Sequence, residues 1–234
     1  MSPLEKQLSR NDTQTVMNTK ERLDDQTPEK QLSTASSLKF QEALVYAAQA
    51  HAGQLRKGTR IPYLSHLLAV TSIALDNGAT DDEAIAALLH DTVEDAGGKP
   101  RLADIEARFG KAIASIVAGC TDADVIPKPP WRARKTAYVA HVRQGPISVK
   151  LVAAADKLHN ARAILADYRA LGDTLWSRFN GGKNGTLWYH RAMVGTLSEP
   201  RLRPLAHDLD ATVTELERLA NDGKPVLEPP STKS

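Results

Sequence analysis

Histidine and carboxylate side chains at three separate places in the sequence could together hold a divalent metal ion. His90 and Asp91 directly follow the apolar run AIAALL, and Asp156 lies inside the most apolar segment, VKLVAAADKLHNARAIL. Burying an unpaired carboxylate is very unfavourable, and a bound cation removes that penalty. His66, in IPYLSHLLAV, becomes a third candidate because the other buried donors would need further ligands. Two imidazoles and two carboxylates suit Mn, Fe or Zn better than Ca.

Each of these residues also has an ordinary structural interpretation. The histidine-aspartate dipeptide alone is common at a solvent-exposed helix end. Asp156 could be a buried carboxylate paired with Lys150 or Arg162, since structural ion pairs also occupy such positions. A lone histidine such as His66 on an apolar helix face is more often a hydrogen-bonded core residue than a ligand.

Further carboxylates are crowded into the turn after His90. If the helix continues, Glu94 lies one turn after His90. Asp95 likewise lies one turn after Asp91, so all four side chains project towards one sector. Carboxylates this close repel one another strongly in the absence of a cation. An octahedral metal with four protein ligands keeps positions for water and substrate, which favours a hydrolytic site over a structural one.

The segments that carry these residues have helical periodicity, which predicts an all-α protein. Thr80 and Glu83 form a capping box ahead of AIAALL. The segment PISVKLVAAADKLHNARAIL is the longest and most apolar of the predicted helices, so we expect it to cross the core. Strand-like alternation of polar and apolar residues is not apparent.

The 234 residues fit one domain of ordinary to large size. Residues 1–37 are polar and mixed in charge, which predicts a disordered leader. Residues 38–221 are predicted to form the folded domain, and 222–234 a flexible tail.

Charge and composition narrow the class of partner. The net charge is +2, with both signs mixed along the chain. No basic stripe is apparent, so nucleic acid is not expected as a partner, whereas a small anionic substrate needs only a few local Lys and Arg residues. Cys120 is the single cysteine, so a reducing compartment is the default. No apolar run approaches the length of a membrane span. We therefore expect a cytoplasmic protein with no membrane partner, and monomer and dimer both stay open.

Four motifs, in order, give the chain a resemblance to a known family. They are AHAGQLRKGTRIPYLSH, AALLHDTVED, FGKAIASIVAGCTDADVIPK and KLVAAADKLHNAR. Together they resemble the HD-domain phosphohydrolases, and within these the hydrolase domain of RelA/SpoT-type alarmone enzymes. The closest similarity is to the free-standing, Mesh1-like small alarmone hydrolases, over about residues 40–197.

The resemblance implies an all-helical HD-domain bundle that holds one Mn(II) ion, and other divalent transition metals fit the same donors. It implies the metal ligands His66, His90, Asp91 and Asp156. It implies the water-activating pair Glu94 and Asp95. It also implies the substrate contacts Arg56 near the base, Lys57 near phosphate and Asn160 at the nucleoside.

The activity implied by the resemblance is hydrolysis of guanosine 3′,5′-bis(diphosphate), or of its 5′-triphosphate counterpart, at the 3′ position, to give GDP or GTP respectively, with pyrophosphate. The sequence departs from the family pattern at Leu67, at AAAD and in FNGGKNG, which leaves the exact substrate open. The adenosine alarmone and the 2′-phosphate of NADPH are alternative substrates of an HD phosphohydrolase. A non-catalytic nucleotide sensor is an alternative of another class, but a sensor does not need Glu94 and Asp95.

Two basic or glycine-rich segments have competing interpretations. The helix after PKPP is most simply a solvated basic face, although Arg134 or Lys135 could contact phosphate. FNGGKNG could cradle phosphate or close over the site with Trp188 or Tyr189 at its rim. It is equally typical of a flexible surface loop with Lys183 in solvent.

The other histidines receive lesser roles. His51 is expected to pack or hydrogen-bond near the site without being a ligand. His159, three residues after Asp156, is expected to point to another side of its helix. No role is assigned to His141, His190 and His207.

Overall fold

The computed structural model describes residues 37–122 and 129–222, and within these ranges the chain is helical. Ten α-helices and two 3₁₀ helices occur there: α1 (Leu38–Ala50), α2 (Leu64–Asp76), α3 (Asp81–Leu89), α4 (Thr92–Ala96), α5 (Gly98–Phe109), α6 (Lys111–Cys120), α7 (Trp131–Gln144), α8 (Ile147–Leu171), the 3₁₀ helix Gly172–Arg178, α9 (Gly182–Val194), the 3₁₀ helix Pro200–Leu202, and α10 (Arg203–Asp222). The same ranges contain an isolated bridge between Leu55 and Pro62 but no strand. The all-α prediction is confirmed. The predicted leader and tail lie outside the described residues, apart from Ser37 and Asp222.

Helix α8 passes through the middle of the main core, as its sequence predicts. It packs against α2, α6 and α10, and its residues from Val149 to Asp156 are all buried. Its contact with α6 is close, because a Cβ at Gly119 would lie 2.5 Å from a methyl carbon of Val149. Within the described ranges, none of the helices has the length and apolar character that crossing a lipid bilayer requires.

The region from α3 to α5 sets the position of the histidine-aspartate pair. The predicted capping box begins α3, since the Glu83 carboxylate accepts from the Thr80 backbone N–H at 2.8 Å. The rest of the helix, Ala84 to Leu89, is fully buried. The chain then makes one irregular turn before α4, and Gly97, with φ 142°, separates α4 from α5. A firmly anchored helix therefore ends at the site.

Candidate metal centre and substrate cavity

The four predicted metal ligands converge from three parts of the fold. His66 lies in the first turn of α2, His90 and Asp91 form the α3–α4 junction, and Asp156 lies in α8. His66 Nε2 is 3.3 Å from Asp156 Oδ1 and 3.4 Å from Asp91 Oδ2. His90 Nε2 is 3.1 Å from Asp91 Oδ2 and 3.8 Å from Asp156 Oδ1. One ligand atom each of His66, His90 and Asp156, all buried, lies within 4.8 Å of the other two.

The orientation of His90 fits a metal ligand. Its Nδ1 is 2.8 Å from the Ala87 carbonyl, so Nδ1 carries the proton and donates to that oxygen. Its Nε2 is buried, faces the two carboxylates and has no aligned hydrogen-bond partner among the described residues. A metal-binding imidazole commonly has this arrangement, with one nitrogen donating to a backbone carbonyl and the other free to coordinate. The two-nitrogen, two-oxygen donor set thus fits a divalent transition metal.

Electrostatics keep the two carboxylates ionised. Burial alone would raise their pKa values. Instead, His90 and His66 hold the pKa of Asp91 well below its usual range, and Lys157 and His66 do the same for Asp156. Burial also acts to lower the pKa of His90, but the charges of Asp91 and Asp156 outweigh it and raise this pKa to about 9. The centre therefore holds two ionised carboxylates, and a bound cation would take the place of the proton on His90 Nε2.

Asp156 is not paired with Lys150 or Arg162, the two partners that its structural interpretation suggested. Lys150 and Arg162 each pair with a carboxylate elsewhere in the fold. Asp156 Oδ2 instead accepts from Lys157 Nζ at 2.5 Å, and its Oδ1 accepts from Asn160 Nδ2 at 2.5 Å. These contacts fix the carboxylate so that Oδ1 faces the two histidines.

Tyr63 supports the centre and was not found from the sequence. Its hydroxyl donates to Asp91 Oδ2 at 2.5 Å, and its ring lies edge-on to His66 and stacked on His51. Burial, followed by the charge of Asp91, raises the pKa of Tyr63, so the hydroxyl remains a donor. Its spacing of three residues from His66 is the sequence signal that could have found it.

The expected orientation of His159 is wrong. Its Nδ1 lies 2.8 Å from His66 Nδ1, and Arg56 Nη1 donates to His159 Nδ1 at 3.0 Å. Burial, with the neighbouring His66 and Arg56, lowers the pKa of His159 to about 4, so the ring is neutral. Residues three apart share a helical face, so the spacing from Asp156 already indicated a place at the centre.

The predicted water-activating pair is divided between two environments. Glu94 lines the cavity beside the centre, and its Oε1 is 3.6 Å from Arg134 Nη1. Asp95 is not among the residues that line this cavity, and its Oδ2 accepts from Gln54 Nε2 at 2.9 Å. His51 hydrogen-bonds Gln54 at 2.7 Å, which matches its expected supporting role.

A cavity of about 620 Å³ adjoins the centre. The predicted substrate contacts Arg56, Lys57 and Asn160 all line it. Arg56 Nη2 donates to Asn160 Oδ1 at 3.1 Å, so both ends of the Asn160 amide are engaged, one with Arg56 and one with Asp156. Six Lys or Arg side chains and two carboxylates line the cavity, which favours an anionic ligand.

The FNGGKNG segment mainly seats a tryptophan. A Cβ at Gly181 would lie 2.6 Å from the Trp131 ring, and one at Gly185 would lie 3.0 Å from it. Lys183 does not line the cavity; it contacts the Ala220 carbonyl and lies 3.6 Å from Asp173. The geometry thus does not support a phosphate cradle built on Lys183.

The match to a protein-family model decides the family. The model described as "HD domain" matches residues 43–186, a span that contains all four candidate ligands. The chain belongs to the HD-domain family. The predicted HD-domain fold is confirmed, and with it the class of metal-dependent phosphohydrolases.

Curated relatives of this HD-domain chain include several guanosine-3′,5′-bis(diphosphate) 3′-pyrophosphohydrolases named MESH1. The Xenopus tropicalis protein is 39% identical over 124 residues, which are 52% of this chain and 66% of that protein. The Drosophila melanogaster protein is 35% identical over 134 residues, 56% of this chain and 72% of that protein. The bifunctional (p)ppGpp synthase/hydrolase SpoT of Escherichia coli K12 is 33% identical over 132 residues, 54% of this chain and 18% of that protein.

Solved structures agree with this assignment of the HD-domain chain. One, described as a metazoan ortholog of SpoT that hydrolyses ppGpp, matches with a TM-score of 0.66 and 28% identity, covering 79% of this chain and 98% of that one. A Listeria monocytogenes protein matches with a TM-score of 0.59 and 29% identity, covering 65% of this chain and 99% of that one. The Mesh1-like resemblance is confirmed.

Proposed function

We propose that this chain is a guanosine 3′,5′-bis(diphosphate) 3′-diphosphatase, which releases pyrophosphate and leaves GDP, or GTP from the pentaphosphate. The observation that carries the proposal is the convergence of His66, His90, Asp91 and Asp156 beside a cation-lined cavity. The relatives named for this activity support it. The cavity volume also suits a ligand of nucleotide size.

The four residues are proposed to hold one Mn(II) ion. When bound, such an ion acts as a Lewis acid on the phosphate and lowers the pKa of water. The mixed nitrogen and oxygen donors support Mn(II), but Fe(II) or Zn(II) would satisfy the same set. We also propose a cytoplasmic location, because a chain with a single cysteine suits a reducing compartment.

Glu94 and Asp95 are proposed to accept the proton of the attacking water and to orient it. The water oxygen attacks the phosphorus next to the ribose 3′-oxygen, and the bond between that phosphorus and the 3′-oxygen breaks. The 3′-oxygen takes up a proton, and pyrophosphate keeps the new oxygen. Glu94 lines the cavity, so it is the member of the pair better placed to meet the water.

Arg56, Lys57 and Asn160 are proposed to bind the nucleotide. Arg56 is planar and half-buried, which suits stacking on a purine or a forked contact with phosphate. Lys57 is exposed at the cavity and suits the compensation of phosphate charge. Asn160 already holds Arg56 and Asp156, so a nucleoside contact at this residue would join the base site to the metal centre.

A substrate panel tests the proposal. Manganese-loaded protein is assayed on the guanosine alarmone, its adenosine counterpart and NADPH, with pyrophosphate and orthophosphate measured separately. We expect pyrophosphate from the guanosine alarmone with the highest kcat/KM. Preference for the adenosine alarmone, or orthophosphate released from NADPH as the main product, would replace this assignment. Tight nucleotide binding without turnover would make the chain a sensor.

The Glu94→Gln, Asp95→Asn double variant tests the proposed water-activating pair. It should bind metal normally and lose about 10²- to 10⁴-fold in kcat, the usual contribution of general base catalysis. Glu106→Gln, a substitution of an exposed carboxylate on α5, is the matched control and should keep full activity. Normal turnover by the double variant would remove this role from the pair.

A further inference from the structure

Helices α7 and α9 place a cluster of polar side chains on the cavity wall that the proposed chemistry does not yet use. Arg134 and Lys135 come from α7, and Tyr189 comes from α9. All three line the cavity. Their side chains are largely shielded from solvent: 13% of Arg134, 16% of Lys135 and 6% of the Tyr189 residue is exposed. The cluster is therefore a built part of the wall and not a solvated basic face.

The cluster adjoins the reacting centre on two sides. Arg134 Nη1 is 3.6 Å from Glu94 Oε1. Lys157 Nζ is 2.5 Å from Asp156 Oδ2 and 5.4 Å from the Tyr189 ring centre. Only one side chain thus separates Tyr189 from a candidate metal ligand. A group bound by this cluster would lie next to the phosphorus that is attacked.

Arg134 and Lys135 share one carboxylate oxygen, and Glu94 is a second carboxylate 3.6 Å from Arg134. One oxygen of Asp122 accepts from both Arg134 Nη1 and Lys135 Nζ, each at 2.5 Å. Burial, followed by the charge of the nearby Lys157, lowers the pKa of Lys135. A bound anion would supply Arg134 and Lys135 with further acceptor oxygens.

Two buried donors in the cluster lack acceptors. Arg134 Nε and the Tyr189 hydroxyl have no hydrogen-bond partner within the described part of the chain. A buried polar group without a partner is unfavourable, so such groups commonly mark a ligand site or an ordered water. The Arg134 N–H and the Tyr189 O–H, together with the ammonium groups of Lys135 and Lys157, could donate to the oxygens of a phosphate group.

We propose that Arg134, Lys135 and Tyr189 bind the distal phosphate of the substrate's 3′-diphosphate. This inference rests on the proposed function, and it explains how the same site selects a 3′-diphosphate over a 3′-monophosphate. With the phosphate next to the 3′-oxygen at the four candidate ligands, the second phosphate would reach the α7–α9 wall. A nucleotide with a single 3′-phosphate forfeits those contacts, so the chain prefers a diphosphate at the reacting position.

Tyr189→Phe tests the inference by removing a single oxygen. Its kcat/KM is measured on guanosine 5′-diphosphate carrying either a 3′-diphosphate or a 3′-monophosphate. We expect the ratio of the two values to fall about tenfold, the typical effect of losing one hydrogen bond to a charged group. An unchanged ratio, whether both substrates suffer equally or neither does, would overturn the inference.

A binding measurement needs no turnover. Calorimetry compares pyrophosphate with orthophosphate on the full chain loaded with Mn(II). The wild type should bind pyrophosphate more tightly, and Tyr189→Phe and Lys135→Met should each weaken that binding about tenfold with little effect on orthophosphate. Arg132→Gln is the matched control, because Arg132 lies over the Trp188 ring and does not line the cavity.

The two proposals fail separately. If the wild type hydrolyses no nucleotide but prefers pyrophosphate through Tyr189, the proposed function is wrong and the phosphate site stands. If turnover occurs but pyrophosphate and orthophosphate bind alike, the function stands and the phosphate site is wrong. Should Lys135→Met unfold, Tyr189→Phe still decides.

Discussion

At the scale of single residues, the metal ligands are themselves held by hydrogen bonds. His90 donates to the Ala87 carbonyl, Asp91 accepts from Tyr63, and His66 is paired with His159. Such supporting contacts fix which nitrogen of each ring can coordinate and commonly set metal affinity. The sequence indicated the ligands through buried charge and motif order. It did not indicate the hydrogen bond from Tyr63 to Asp91, because the two residues are 28 positions apart in the chain.

His159 is predicted to position His66. His159→Ala should weaken Mn(II) binding about 10- to 100-fold, because His66 loses the partner of its Nδ1. His159→Asn should keep most of the affinity, since the amide oxygen can accept the same hydrogen bond. Competition against a fluorescent chelator measures both variants. His141→Ala, at an exposed position, is the control, and wild-type affinity in His159→Ala would refute the role.

His190 is predicted to make the fold sensitive to acid. Burial lowers its pKa to about 4, below the ordinary 6.5, so the unfolded chain binds the proton more readily. The stability that neutral His190 contributes is complete above about pH 6.5. As the pH falls towards 4, the free energy of unfolding decreases by up to about 1.4 kcal/mol for each pH unit.

Denaturant unfolding between pH 7 and pH 4.5 measures this effect. His190→Asn should lose less free energy of unfolding over that range than the wild type does. His207→Asn, at a side chain that is 84% exposed, should follow the wild type. Parallel curves for the wild type and His190→Asn would mean that another group controls acid unfolding.

At the scale of elements, helical periodicity and capping residues predicted most helices. Thr80 and Glu83 form their capping box, and the apolar segment around Asp156 became the core helix α8. The glycine-rich FNGGKNG segment could not be interpreted in this way. Its glycines admit the Trp131 ring, which is distant in sequence, and composition alone suggested a loop or a phosphate cradle.

Gly181→Ala is predicted to displace Trp131 from the cavity wall. The backbone of Gly181 suits any residue, so the cost comes from the new methyl group against the ring. We expect a loss of about 1–3 kcal/mol in the free energy of unfolding and a raised KM. In a Trp131→Leu background the same substitution should be nearly neutral, as a double-mutant cycle would show. An equal loss in both backgrounds would place the cost elsewhere.

At the scale of the whole molecule, helices far apart in sequence bring one set of charges together. Two ionised carboxylates lie at the metal centre, and six Lys or Arg side chains line the cavity that adjoins it. The order of the four motifs predicted the family, and the HD-domain match bears this out. The cluster on α7 and α9 was indicated only as an open alternative, because single-sequence reasoning does not show which basic side chains of a surface helix turn inward.

The central claim is that four side chains hold one divalent ion. Crystals of the full chain grown with Mn(II) and measured at the manganese absorption edge test it directly. The account predicts one anomalous peak about 2.0–2.4 Å from His66 Nε2, His90 Nε2 and one oxygen each of Asp91 and Asp156. A map without a peak among these four groups, or with the ion bound elsewhere on the chain, would contradict it.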